Sequence, residues 1–335
     1  MEEREKFSAS VIIPTYNRKN ELEQLLGSLA RQTLPAGSFE VIVVDDGSGD
    51  GTEEWLREHR HRFGFPLSWF AQARGGPGAA RNLGMGKAAG DIFVFTDTDC
   101  VTQPAWLAHL TQPFGSGTVG AVGGSEIINE SDPLLMRCFH YLMTASLTTG
   151  GLRGKEGKRL ARFYPRTFNM AISRKAYEAV GGFRRMFHGE DIELSFRIKQ
   201  AGFDLLYVGS AQVYHRRRST VAQYARQVYN MGRARVTLAR LHHGSLEPLH
   251  LLPALLVVIF LLFTLLLPWL PFASHIVRPC CAAVMLFLAL LGIDSALRLR
   301  APLALFIIPV LFILQQGAYG IGFLLSLIRP EKINR

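Results

Sequence analysis

Several groups of residues in this sequence are suited to chemistry by type and spacing. Asp97-Thr98-Asp99 sets two carboxylates two residues apart after an apolar run. Such a pair can hold a hard divalent cation, one acid directly and the other through water or a ribose hydroxyl. Alone it also reads as a solvated acidic turn. A second apolar run ends in Asp45-Asp46-Gly47-Ser48, and acids from two strand ends facing one cleft repel unless a cation or hydrogen-bond donors compensate them. Arg74 to Asn82, RGGPGAARN, is a Gly-rich turn entering a helix. Its backbone N–H groups and Arg81 suit phosphate oxygens. Its spacing is neither G-x-x-x-x-G-K-[ST] nor a G-x-G-x-x-G after the first strand, which argues against a Walker P-loop and a dinucleotide oxidoreductase. Glu190 and Asp191 fall in the first turn of a helix, where acids balance the helix dipole or accept a proton from an incoming hydroxyl. His215 can bring an imidazole to a metal, or sit on the surface before Arg216. Residues 150–174 hold Arg153, Lys155, Lys158, Arg159, Arg162, Arg166 and Arg174 against Glu156 alone. That stretch is a solvated loop, or one that closes on a diphosphate or a lipid phosphate.

The elements that must position these residues alternate. Ser10–Pro14, Phe39–Asp45 and Ile92–Thr96 are apolar runs suited to strands buried on both faces of a mostly parallel sheet. Asn20–Arg31, Thr52–His61, Pro77–Ala89 and Ile192–Ala201 read as helices, and Leu205–Val208 with Val213-Tyr214 as short strands. The β-α-β-α order predicts an α/β fold, a Rossmann-like open sheet with flanking helices. Ligands bind beyond the carboxyl ends of such strands, and three of those ends hold Thr15-Tyr16-Asn17, Asp45-Asp46 and Asp97-Thr98-Asp99.

Taken together, VIIPTYNR at 11–18, VVDDGS at 43–48, GGPGAARN at 75–82, FTDTDC at 95–100 and GGF…GEDIELSFR at 181–197 resemble the family 2 inverting glycosyltransferases of GT-A fold. The resemblance spans roughly residues 8–218. It implies that Pro14, Thr15, Tyr16, Asp46 and especially Asp45 line the base and ribose pocket, with Arg81 close to the nucleotide. It makes Asp97 and Asp99 the D-x-D pair, Asp99 being the direct ligand of Mg²⁺ or Mn²⁺ and His215 a further ligand. Asp191 of the Glu190-Asp191 pair is implied as general base, and Asn169 as an acceptor-site residue. The implied donor is a nucleotide-diphosphate sugar, UDP-linked by preference or GDP-linked. Two departures stand out. Cys100 occupies a position where a third Asp is common. Gln223-Tyr224-Ala225-Arg226 is followed by Gln227 rather than the Trp of processive synthases.

The chain has 335 residues, a net charge of +10, 19% charged and 48% hydrophobic residues. Disorder is excluded, and no nucleic-acid-binding pattern accompanies the positive charge. Four cysteines without a C-x-x-C pair exclude a disulfide scaffold and suit a reducing compartment. MEEREKFSAS lacks the apolar region of a signal peptide. After residue 248 the composition turns apolar, and segments near 249–272, 279–297 and 302–328 predict two or three membrane helices. The expected layout is a catalytic domain over 1–218, a basic amphipathic helix over 219–247 lying on an anionic membrane, and a membrane domain over 248–335. The acceptor is expected to be lipid-linked or presented at the bilayer, in a cell (inner) membrane with the catalytic domain cytoplasmic. Arg298 and Arg300 favour the cytoplasmic side. Three full spans would put Arg329, Lys332 and Arg335 on the other side, so the number and topology of the segments stay open, a re-entrant or interfacial segment being one alternative.

Overall fold

The computed structural model describes residues 8–145, 148, 163–186, 188–216, 219–266 and 273–329. Strands form where β-branched and aromatic residues run together, and helices where apolar residues recur at i, i+3 and i+4. In chain order they are β1 Ala9–Thr15, α1 Lys19–Leu29, β2 Phe39–Asp45, α2 Thr52–His59, β3 Leu67–Ala71, α3 Pro77–Lys87, β4 Ile92–Phe95 and β5 Cys100–Thr102. Then follow α4 Trp106–Thr111, β6 Val119–Ile127, α5 Leu134–Thr144, β7 Met170–Ser173, α6 Arg174–Val180, α7 Glu190–Gln200 and β8 Asp204–His215. The chain continues with α8 Val221–Leu241, α9 Pro248–Leu266, α10 Ala273–Leu299 and α11 Ala304–Ile328.

The strands make one mixed, mostly parallel sheet in the order β3-β2-β1-β4-β7-β6-β8-β5. β3, β2, β1 and β4 run parallel, so the ends carrying Thr15, Asp45 and Asp97 share one edge. β7 pairs antiparallel with β4 and β6, and β5 antiparallel with β8. Alternation along β1 feeds two cores. Val11 and Ile13 pack with Leu22, Leu25 and Leu26 of α1, while Ile12 packs with Ala80 and Met85 of α3 and Leu194 of α7. Gly84 lets α3 lie directly on β1, since a Cβ there would fall on the Ile12 side chain. That close approach carries Arg81, one turn earlier, to the strand ends.

Two short strands expected near 205–214 are one strand, β8, interrupted in its pairing with β6 between Gly124 and Ser125. The irregularity re-aims its second half so that it pairs with β5 and sets His215 opposite Cys100. β3 escaped the sequence reading altogether. Its residues are all partly exposed or exposed, as suits an edge strand.

Helix α8 differs more. Its amphipathic pattern predicts a membrane-surface helix, yet Tyr224 and Val228 are buried in a cluster with Cys138, Phe139 and Leu142 of α5 and Ile308 and Leu311 of α11. The apolar face is covered by protein rather than lipid. Gly232 and Gly322 permit this, because a Cβ on either would meet backbone of the facing helix, at Tyr319 and Tyr229 respectively. Three helices, Pro248–Leu265, Val277–Leu299 and Ala304–Ile328, are long and apolar enough to cross a membrane. The largely apolar stretch after residue 248 thus folds as a C-terminal helical region, and its three long apolar helices point to membrane association.

Candidate active site

Asp97, Thr98, Asp99 and Cys100 form the turn between β4 and β5, closed by the Cys100 N–H donating to the Asp97 carbonyl at 3.0 Å. The two carboxylates have different partners. Asp97 Oδ1 accepts from Arg81 Nη2 at 2.7 Å. Asp99 Oδ2 accepts from Arg18 Nη1 at 2.8 Å, and its Oδ1 faces His215 Nε2 at 3.4 Å. Burial would push the Asp99 carboxyl up, but His215 and Arg18 hold it down at about 2. Burial likewise pushes the His215 imidazole down, yet Asp99 and Glu126 outweigh it and raise it to about 9. Glu126 Oε1 lies 3.2 Å from His215 Nδ1, and the Phe168 ring stacks on the imidazole at 4.6 Å. These contacts fix the ring so that Nε2 points at Asp99.

The Asp99–His215 pair fits a divalent cation. Oxygen and nitrogen atoms of Asp99 and His215 and the Cys100 sulfur lie within 4.8 Å of one another. Asp99 Oδ1 is buried and makes no hydrogen bond among the described residues. Carboxylate and imidazole suit Mg²⁺ or Mn²⁺. Cys100 suits them poorly. Burial, then the charges of Asp99 and Asp97, raise its thiol well above the ordinary value and keep it protonated.

Arg81 joins this turn to α7. Its side chain is 3% exposed; Nη2 holds Asp97, and Nη1 lies 3.4 Å from Glu190 Oε1. The sequence suggests a fork onto phosphate, whereas the structure shows a fork across two carboxylates. Glu190 and Asp191 open α7 behind Gly189, which takes φ +83°. Burial, then the neighbouring Asp191 charge, raise the Glu190 carboxyl, and Arg81 offsets part of this. Asp191 Oδ1 accepts from the Ile192 N–H at 2.8 Å, and its Oδ2 lies 3.4 Å from Arg166 Nη1. Arg235 of α8 is a second cation in this neighbourhood. Burial and the Arg166 charge pull its guanidinium below the ordinary value, while Tyr319 of α11, Tyr164 and Asp191 act the other way.

The remaining expected residues divide. Thr15 and Asp45 are buried at the strand ends, with Asp45 Oδ1 accepting from the Ser48 N–H at 2.9 Å. Pro14 is half-buried on β1. Tyr16 is exposed, and the Arg74 guanidinium covers its ring at 4.3 Å. Asp46 has both oxygens engaged by the Gln72 side chain and the Gly75 and Gly76 N–H groups at 2.7–2.8 Å, so it shapes the Gly-rich turn. Asn169 is 1% exposed. It accepts from Trp106 Nε1 and donates to the Ser125 and Ala211 carbonyls, each at 2.8 Å. Its amide knits β6, β8 and α4 together. Of the basic stretch, Arg153, Lys155, Lys158, Arg159 and Arg162 lie outside the described residues. Arg166 meets Asp191, and Arg174 donates to the Ala88 and Gly90 carbonyls. Arg18, Gln72, Glu126 and Arg235 were not anticipated as site residues. Arg18 closes the VIIPTYNR motif and was within reach of sequence reasoning; Glu126 sits on β6 with no local signal.

Strand-end acids, an Asp99–His215 pair that fits a cation and an acidic helix start linked by Arg81 to Asp97 lie in a GT-A fold, the arrangement of a nucleotide-sugar-dependent glycosyltransferase. The chain belongs to glycosyl transferase family 2, whose family model matches residues 10–181. Glycosyltransferase AglE of Haloferax volcanii is 27% identical over 254 residues, covering 75% of this chain and 81% of that protein. Poly(ribitol-phosphate) beta-N-acetylglucosaminyltransferase TarS of Staphylococcus aureus is 41% identical over 90 residues, covering 27% of this chain and 16% of its own. Among solved structures, the mannosyltransferase PcManGT from Pyrobaculum calidifontis, in complex with GDP-Man and Mn²⁺, superposes with a TM-score of 0.62. It is 24% identical, and the match covers 97% of this chain and 88% of PcManGT.

Proposed function

We propose that the protein is an inverting, metal-dependent glycosyltransferase. It moves a sugar from a nucleotide-diphosphate sugar to a hydroxyl of a lipid-linked or membrane-presented acceptor. The catalytic domain, residues 1–218, faces the cytoplasm at the cell (inner) membrane; residues 219–247 link it to the membrane domain at 248–335. The observation that carries this reading is the Arg81 bridge, 2.7 Å to Asp97 and 3.4 Å to Glu190, which puts a D-x-D turn and a helix-start carboxylate pair in one site.

Asp99 and His215 would hold Mg²⁺ or Mn²⁺, which when bound neutralises charge on a departing diphosphate. Asp45 and Thr15 offer polar groups to ribose and base, and Tyr16 an aromatic face. Asp191 accepts the proton of the acceptor hydroxyl, and attack opposite the leaving group inverts the anomeric carbon. A UDP-sugar is the first donor to test, with GDP-sugars beside it.

A second reading has a specific observation behind it. Arg166 stands 3.4 Å from the Asp191 carboxylate, with Arg235 in the same neighbourhood. A cation beside Asp191 suits an acceptor that is already an anion, such as a polyprenyl phosphate, which needs no base. Asp191→Asn separates the two. With a hydroxyl acceptor, sugar-nucleotide binding holds and turnover falls by about 10²–10⁴, the usual contribution of a general base. With a phosphate acceptor, turnover changes little. Calorimetric binding and nucleoside-diphosphate release on the same variant decide, and full turnover with a hydroxyl acceptor defeats the general-base assignment.

A further inference from the structure

The D-x-D turn meets two arginines that differ in freedom. Arg81 is 3% exposed and forks between Asp97 and Glu190, so turning it onto a ligand would leave two carboxylates without their cation. Arg18 is 38% exposed, and its guanidinium donates from Nη1 to Asp99 Oδ2 at 2.8 Å. The other oxygen of that carboxylate, Oδ1, is the one that faces His215. A guanidinium carries several N–H donors in one planar fork. Among the described residues, Asp99 is the acceptor that Arg18 uses.

The backbone under Arg18 is fixed by its neighbours. Asn17 takes φ +50°, in the left-handed region, which asparagine enters more readily than most residues because its short side chain bonds locally. Its N–H donates to Ser48 Oγ and its Oδ1 accepts from the Gly49 N–H, both at 2.8 Å. On the other side of Arg18, the Lys19 N–H donates to Asp50 Oδ2 at 3.0 Å. The Arg18 carbonyl accepts from the Leu22 N–H at 2.9 Å at the start of α1. Ser48 in turn donates its N–H to Asp45 Oδ1 at 2.9 Å. The loop at 48–50 therefore fixes both Asp45 and the turn that carries Arg18, while the tip of Arg18 stays partly open. Thr15 pairs in register with Asp45, and Arg18 reaches Asp99. The segment 15–18 thus runs from the strand ends offered to ribose and base to the carboxylate offered to a cation. A diphosphate joined to that ribose and held by that cation has to fill the same interval.

We propose that Arg18 binds the diphosphate of the donor and thereby ties cation binding to nucleotide binding. The inference rests on the sugar-nucleotide reading above and adds to it a residue and a sign. With its charge 2.8 Å from Asp99, Arg18 reduces the pull of that carboxylate on an isolated divalent cation. A diphosphate reverses the effect, since its oxygens accept from the guanidinium fork and neutralise the cation together. Arg18 therefore opposes the cation alone and favours the cation with diphosphate. By linkage, the coupling is the same whichever ligand is added first. The phosphate fork expected of Arg81 falls to Arg18.

Direct binding to the full chain in detergent tests this, with Mn²⁺, UDP, GDP, uridine and guanosine as probes. Paramagnetic resonance reads free Mn²⁺, calorimetry the diphosphates, and saturation-transfer NMR the weaker nucleosides. Arg18→Gln removes the charge and the fork. It should bind Mn²⁺ alone more tightly than the parent does. At saturating Mn²⁺ it should bind the preferred nucleoside diphosphate about 10–100-fold more weakly, the range for a charge-assisted hydrogen bond. The matching nucleoside should bind as it does to the parent, because the strap at 48–50 and the strand ends are untouched. Arg18→Lys keeps a point charge without the fork and should fall between the two. Unchanged diphosphate affinity in Arg18→Gln would overturn the inference, as would weaker binding of Mn²⁺ alone. Equal losses for nucleoside and diphosphate would also overturn it, since Arg18 would then act on the pocket and not on the phosphates. A parent that binds neither UDP nor GDP defeats the sugar-nucleotide reading, and this inference with it, before any variant is made. None of these readouts depends on sugar transfer.

Discussion

Asp99 is balanced between a histidine at 3.4 Å and an arginine at 2.8 Å, both cations able to stand in for a metal's charge. Two consequences can be measured. Chelation should abolish transfer, and Asp99→Ala should remove metal-dependent nucleotide binding while leaving the metal-independent part; isothermal titration with and without Mn²⁺ reads both. Arg81 predicts a different failure. Lysine keeps its charge but cannot fork, so Arg81→Lys leaves Asp97 or Glu190 without its partner. Stability should fall by about 1–3 kcal/mol, the usual penalty for an orphaned buried polar group, read by denaturant unfolding of the detergent-solubilised protein. Much of this site was legible in the sequence, because Asp45, Asp97, Asp99, Glu190 and Asp191 sit at strand ends and a helix start, where local pattern gives position. What was not legible depends on distant packing. Asp46 and Asn169 look like ligand contacts by motif, and only the folded chain shows their oxygens and amide turned to Gly75, Gly76, Trp106, Ser125 and Ala211.

Among the elements, β1, β2 and β4 were read nearly to the residue, since a run such as Phe39–Asp45 has one way to be buried on both faces. β3, β5, β6 and β7 were not anticipated and β8 was read as two pieces, because an edge strand alternates weakly and a pairing irregularity has no sequence signature. Helix α8 shows the sharper difficulty. An amphipathic stripe records that a face is covered and says nothing about by what, and here the cover is α5 and α11 instead of lipid. The glycines at that contact make it testable. Gly232→Leu would set a side chain against the Tyr319 backbone, and overpacking of this kind typically costs about 1–3 kcal/mol. The melting temperature in detergent should drop, whereas Gly317→Leu on the same helix pair's open side, with nothing within 4 Å of a Cβ there, should leave it nearly unchanged.

The whole molecule divides at a different place from the one composition suggests. Apolar sequence begins at residue 248, but α11 completes the core that α5 and α8 begin. A chain ended at residue 247 would bare Phe139, Leu142, Tyr224 and Val228; it should aggregate without detergent, and a soluble monomer on analytical ultracentrifugation would contradict the packing. Asp191 acts on the guanidinium of Arg235, on the helix that packs along α11, and this has a further effect on how the enzyme meets its two substrates. The sugar nucleotide arrives from a volume, while an acceptor of the proposed kind arrives along a surface. Its encounter rate is set by molecules per unit area of leaflet, so diluting the acceptor with inert lipid slows the reaction, and diluting the vesicles in more buffer leaves the acceptor encounter as it was.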